Sequence, residues 1–390
     1  MIFGGTVLGI AHDPGGARVV APILLALHQL GHPVVLIGSG PSTGICNNEF
    51  PGLCLREIED SASLQTGIDL LKEEGAQLLV SASGLYNEIE HTMRLAANSL
   101  GLPIVGVLDW YFNMRQRFQR VERSSGCMVD SRPDWVLALD EPTKKEVIQA
   151  GFQQDQIHVA GYINLEHSLQ KVMAFEKDLA GIRGELGIPA SKKIAVFFSE
   201  PYINAADGKE WGGVGGYFDS SGHPIHGYTA AESLQAVLSA MESLEWFRHA
   251  HLVVKAHPME HVPALMKVMS RLPEDLKKKM TIVEKYDPAK LIALGSIFFG
   301  MASVALLEAS ITGKPVLSVQ IGLNKSPEDD PCISNRLGLS ISIRSLECLK
   351  NEMAPMNLAE TPTSGNSIPS CMGSSMAAAQ FLEQKFLQEV

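Results

Sequence analysis

Positive charge is scarce in this chain. Its 390 residues carry 32 Lys and Arg against 43 Asp and Glu, a formal net charge of −11. A nucleic-acid partner would gain no electrostatic help from such a surface, so none is expected. Paired cysteines are lacking as well. Cys46, Cys54, Cys127, Cys332, Cys348 and Cys371 are scattered without C-x-x-C spacing, which reads as reduced thiols rather than a disulfide frame or a zinc site. The N-terminus has no basic start and no cleavage pattern, and it runs directly into an apolar segment, unlike a signal peptide. The longest weakly charged run, 296–313, is interrupted by Glu308 and small polar residues, so no membrane span is expected and the location expected is cytoplasmic. G-x-G-x-x-G, the P-loop and G-x-S-x-G are all missing, and no His/Cys/Asp cluster has metal-ligand spacing, so no metal site and no cofactor are expected.

What is present is a core-forming composition, 45% hydrophobic and 19% charged, in a length that suits two domains. Short apolar runs alternate with helical patterns: Thr6–Ala11, His32–Gly38, Leu53–Ile58, Gln77–Ser81, Ile104–Leu108, Trp135–Leu139 and Ile157–Ala160 in the first 160 residues. Continuous apolar runs such as Pro33–Ile37 fit strands buried on both faces. The pattern predicts an α/β fold with a doubly wound parallel sheet. It pauses at Gly161–Asn164 and restarts with a helix expected over Leu165–Leu186. Strands follow at Lys192–Phe198, Leu252–Val254, Thr281–Glu284, Ser296–Phe299, Val316–Val319 and Leu339–Ile343. The expectation is two Rossmann-like parallel-sheet domains facing a cleft: 1–162, 163–355, and a linker with a returning C-terminal helix over 356–390. A Gly-rich segment, Tyr202–Tyr228, has no clear period; a loop that long is expected to be functional or mobile.

Polar residues collect where strands end, the positions that line the crevice in such sheets. His12-Asp13-Pro14-Gly15-Gly16 follows the first strand. His12 and Asp13 are candidates for acid–base work, and Gly15 and Gly16 let a ligand approach the backbone. Lys255-Ala256-His257-Pro258 supplies a point charge suited to phosphate and a titratable donor. Ser303 can cap the helix after Gly300 or bond a phosphate at its N-terminus. Glu308 lies one and a half turns along, where a carboxylate can accept both hydroxyls of a ribose. Asp109, after the fifth strand, and Glu200, after Lys192–Phe198, are acceptor or loop candidates. The plain alternatives are a tight strand-to-helix turn for His12–Gly16, a solvated strand end for Lys255–Pro258, a cap for Ser303 and Asp109, and an exposed helical carboxylate for Glu308.

Lys255-x-His257-Pro258, Ser303, Glu308 and Gly313-Lys314-Pro315 together resemble the nucleotide-binding half of the GT-B glycosyltransferase superfamily. Within it the resemblance is to bacterial surface-polysaccharide enzymes such as the CDP-glycerol glycerophosphotransferases. In that group Lys/His-Pro and a Ser-Ser pair hold the nucleotide phosphate. Ser303 matches the first serine, Val304 stands at the second, and Met301 stands where an acidic residue is usual. Non-hydrolysing UDP-N-acetylglucosamine 2-epimerases share the ending Glu308-Ala-x-x-x-Gly313-Lys-Pro, but their upstream Asp-Ser-Gly-Gly falls on Met301–Val304.

The resemblance implies metal-independent transfer of a sugar or sugar-like group from a nucleotide donor to an acceptor. Lys255, His257, Ser303 and Glu308 would hold the nucleotide, and Asp13 or His12 would act as base. The partners implied are a nucleotide-sugar and a small-molecule or glycan acceptor, with room for peripheral membrane association. An epimerase, a nucleotide-sugar hydrolase and a non-catalytic binding protein of the same shape are the alternatives.

Overall fold

The computed structural model describes the chain except residues 1–4, 86, 112, 122–127, 201–226, 246–248, 258–259, 261, 271, 324, 328–329, 357–370 and 389–390. Pro258 and nearly all of the Gly-rich segment therefore lie outside the described residues. The chain divides into two compact units, 1–167 with 370–390, and 168–369.

In the first unit, β1 (Thr6–Ala11), β2 (Val34–Gly38), β3 (Leu55–Glu57), β4 (Ala76–Ser81), β5 (Ile104–Val107), β8 (Trp135–Ala138) and β9 (Ile157–Val159) form a parallel sheet in the order β3-β2-β1-β4-β5-β8-β9. A small antiparallel pair, β6 (Gln119–Val121) and β7 (Met128–Asp130), lies in the chain between β5 and β8. Successive β1 residues go to opposite faces. Val7 and Ala11 pack with the helix Pro14–Gln29, and Leu8 and Ile10 with the helix Ile89–Ser99. Burial on both faces is why these strands read as unbroken apolar runs. The helix Ser374–Leu382 returns to this unit, placing Ala378, Ala379 and Leu382 in the core against Pro14–Gln29.

The second unit repeats the plan with β10 (Lys193–Phe198), β11 (Ala250–Lys255), β12 (Met280–Val283), β13 (Ile297–Gly300), β14 (Val316–Val319) and β15 (Ile341–Ile343). All pairs are parallel, in the order β12-β11-β10-β13-β14-β15. Ala195 and Phe197 pack with the helix Ala230–Glu242, and Ile194, Val196 and Phe198 with Pro288–Leu294.

Two local expectations change. The helix expected over Leu165–Leu186 is two helices, Ile163–Phe175 and Leu179–Leu186, separated by a 3-10 turn. Asp178 starts the second one by accepting the N–H of Gly181 at 3.0 Å. A helix not foreseen, Pro41–Glu49, follows β2. It buries only Ser42 and Cys46 and so carries no apolar stripe to reveal it. Among the described residues no helix is long and apolar enough to cross a membrane, and the five described cysteines are free thiols.

Candidate functional site

In the first sheet the chain leaves β1 toward β2 on one side and resumes with β4 on the other. Strand order reverses between β1 and β4, which opens a crevice at their C-terminal ends. His12 and Asp13 follow β1 at this point. Ser39 follows β2, Asp60 β3, Gly84 and Asn87 β4, and Asp109 β5. Glu90, fully buried, ties two of these loops together. Its Oε1 accepts the N–H of His12 at 3.0 Å and its Oε2 the N–H of Gly84 at 2.7 Å. Burial raises the Glu90 pKa, while the charge of Arg94 and the two N–H groups oppose the rise. Arg94, also fully buried, donates to Ser81 Oγ, to the carbonyls of Ala82, Ser131 and Arg117, and so holds the β4 end to the segment around β6 and β7.

His12 is bracketed. Nδ1 lies 2.9 Å from Asp13 Oδ1 and Nε2 lies 3.2 Å from Asp60 Oδ2. The Asp60 carboxyl pKa is lowered, first by the hydroxyl of Ser39 and then by His12. Carboxylates only accept, so the protonated ring, with a donor at each nitrogen, is the form that satisfies both contacts. Burial works against that charge, but the hydrogen bonds and charges of Asp13 and Asp60 outweigh it and raise the pKa of His12. Asp13 is the N-cap residue of Pro14–Gln29, yet its side chain makes no capping bond. Gly40, at φ +55°, is needed here: a Cβ on it would lie 2.6 Å from His12 Nε2.

Gly15 and Gly16, expected to admit a ligand, instead admit the protein. A Cβ at Gly15 would lie 2.5 Å from Asp109 Oδ2, and one at Gly16 would lie 2.7 Å from Ala82 Cβ. The other oxygen of Asp109 takes Arg117 Nη1 at 2.8 Å. Asp109 thus joins His12 and Asp13 at one sheet end rather than capping a helix.

The second sheet reverses between β10 and β13. Glu200 follows β10, and its Oε1 accepts the N–H of Ala302, after β13, at 2.5 Å. Glu260, which the sequence reading did not single out, accepts from Ser199 Oγ at 2.7 Å and from the N–H of His257 at 2.9 Å. Burial, reinforced by Glu260, pushes the Glu200 carboxyl up to about 8. Burial also pushes Glu260 up to about 7, against Ser199, the His257 N–H and Lys255. Lys255 Nζ donates to the carbonyl of Ala256 at 2.6 Å, and burial lowers its pKa. Burial and then the Lys255 charge lower the His257 pKa. Ser303 caps the helix Val304–Ser310 by accepting the N–H of Ala305 at 3.2 Å. Glu308 Oε1 accepts from Ser168 Oγ at 2.7 Å. The backbone N–H groups of Ala302 and His257 are thus engaged by buried carboxylates.

Solved structures share this fold. A UDP-GlcNAc 2-epimerase from Methanocaldococcus jannaschii superposes with a TM-score of 0.68 at 13% identity, over 97% of this chain and 99% of that chain. The UDP-GlcNAc 2-epimerase from Neisseria meningitidis, bound to UDP-GlcNAc, gives 0.65 at 13%, over 98% of this chain and 100% of that chain. A glycosyltransferase from Rickettsia africae gives 0.58 at 12%, over 98% of this chain and 94% of that chain. The fold is GT-B-like. No protein-family model matches the chain, and no curated protein matches it in sequence. The GT-B-like fold therefore stands on geometry, and it puts both clusters at strand-order reversals. Asn87, Asp60 and Glu90 in the first unit and Glu260 in the second were not read from the sequence. Only Glu260 left a local signal, standing three residues after His257 with a carboxylate that closes on the His257 N–H.

Proposed function

We propose that this GT-B-like chain is a nucleotide-sugar enzyme that transfers a sugar or sugar-like group to a hydroxyl acceptor without a metal. The observation that carries the reading is the bracketing of His12 by Asp13 and Asp60 at the β1–β4 reversal. An imidazolium with both protons engaged cannot accept another, so of the two candidates Asp13 is the base. His12 holds Asp13 in place and offsets its charge. The proton of the acceptor hydroxyl passes to Asp13 as the oxygen attacks the anomeric carbon, and the C–O bond to the diphosphate breaks.

The second unit is assigned the nucleotide. Glu308 takes the ribose hydroxyls in exchange for Ser168. Lys255 turns from the Ala256 carbonyl to a phosphate oxygen, with His257 and Ser303 as further donors. UDP is the nucleotide to try first, because structures of this fold have been solved with UDP-GlcNAc and with UDP.

The neighbours named as 2-epimerases favour a second reading, in which a carboxylate of the same cluster takes a proton from the sugar itself. Incubation with UDP-GlcNAc separates the two. Release of UDP that depends on an added sugar acceptor and survives a chelator supports transfer. A 2-epimer formed with no acceptor supports the second reading. Neither UDP nor epimer, together with no binding of UDP-GlcNAc by calorimetry, would overturn both.

A further inference from the structure

Asn87 is only 6% exposed. Its amide is oriented by the chain: Oδ1 accepts the N–H of Glu90 at 3.1 Å, which turns Nδ2 the other way. Among the described residues Nδ2 is buried with no hydrogen-bond partner. An unmatched buried donor is costly, and native folds rarely retain one without a use.

The neighbour of Nδ2 indicates that use. A Cβ built on Gly84 would lie 2.2 Å from Asn87 Nδ2 and 2.4 Å from Asp13 Oδ2, so the two atoms are at most about 4.6 Å apart, the sum of those legs. One oxygen atom spans that gap at ordinary hydrogen-bond distances from each. Nδ2 only donates, and a carboxylate oxygen only accepts. A hydroxyl satisfies both through a single atom. A phosphate or carboxylate oxygen would suit Asn87 but face Asp13 and Glu90, whose Oε2 lies 3.4 Å from the same point. An ammonium would suit Asp13 and leave Asn87 unmatched. The Asp13 side chain is 40% exposed, while Asn87 Nδ2 is itself buried.

We propose that Asn87 Nδ2 and Asp13 Oδ2 together seat one hydroxyl of a sugar or similar polyol, and that Asn87 is the residue that selects and orients it. This deepens the assignment of Asp13 as base and rests on it for the chemistry. The seated O–H points its proton at Asp13, while Asn87 occupies one lone pair and leaves the other for the attack. The hydroxyl belongs either to the acceptor or to the sugar of the donor.

The test uses full-length protein labelled with 15N at asparagine. The Asn87 side-chain amide signal is identified by its loss in Asn87→Ser, a substitution that keeps a cap for the Glu90 N–H. The wild type is titrated with glycerol, free GlcNAc and UDP-GlcNAc. Movement of the Asn87 signal with free GlcNAc or glycerol assigns an acceptor-type hydroxyl, and movement with UDP-GlcNAc alone assigns the donor sugar. In Asn87→Ser the affinity for the probe that moved the signal is expected to fall about tenfold. An Asn87 signal unmoved by all three probes, or an unchanged affinity in Asn87→Ser, overturns the proposal. A shift with free sugar but no UDP release from UDP-GlcNAc would leave the seat standing and remove the transferase reading.

Discussion

Asp13 is an N-cap residue that does not cap. An aspartate in that position ordinarily accepts a backbone N–H of the first turn, for about 1 kcal/mol. Here it forgoes that bond and faces His12 instead. Asp13→Asn should therefore cost little stability while removing the base, with UDP release from UDP-GlcNAc falling by about 10²–10⁴. The same substitution removes one of the two negative charges beside His12. Its pKa, raised in the native protein, should drop, and the ring-proton resonance of His12 followed against pH reads this directly. The sign for stability follows from that direction. A raised histidine stabilises the fold below its unfolded pKa, and the contribution is lost as pH rises through the folded value. Asp13→Asn should thus narrow the stability difference between acid and neutral pH. An unmoved His12 titration would contradict the bracketed geometry.

At the scale of elements, strand ends were the legible part. His12, Asp13, Asp109, Lys255, Glu200 and Ser303 each follow an apolar run, and the run marks where the polar residue must lie. The partners were not legible, because sequence separation hides them. Glu90 meets His12 across 78 residues and Asp60 meets it across 48. Only the strand order brings them together. The start of the short helix Val304–Ser310 carries both a cap and a phosphate reading in the sequence; Ser303 accepts the N–H of Ala305 and keeps its O–H to donate, while Glu200 occupies the Ala302 N–H. Glu200 has a consequence for stability against pH. Its folded pKa, about 8, lies above its ordinary value of 4.5. The folded state then holds more protons than the unfolded between those values, and stability falls as pH rises through that window. Glu200→Gln keeps an acceptor for Ala302 and carries no charge. It should raise the melting temperature by a few degrees at pH 8 to 9 and leave it unchanged near pH 4. A gain of equal size at both pH values would show that ionisation of Glu200 is not the cause.

At the scale of the whole molecule, the chain crosses from the first unit to the second at Ser168 and comes back at Ser370. The last helix therefore belongs to a core built from the first residues. Leu382 is fully buried beside Ala378 and Ala379, and the ring of Phe381 lies 5.5 Å from that of Trp135 in β8. The alternation of strands made the two sheets legible in the sequence. The destination of the last helix was not, because Met376, Ala378, Ala379 and Leu382 would suit either core. Leu382→Ala removes a side chain the surrounding helix cannot refill, at a cost of about 2–5 kcal/mol. That loss should fall on the first unit alone. Hydrogen exchange should quicken in β1, β4, β5 and β8 and stay unchanged in β10, β11, β13 and β14, whose core contains no residue of the last helix. Equal acceleration in both sheets would mean that the chain unfolds as one cooperative body, and that the two cores do not hold their sheets separately.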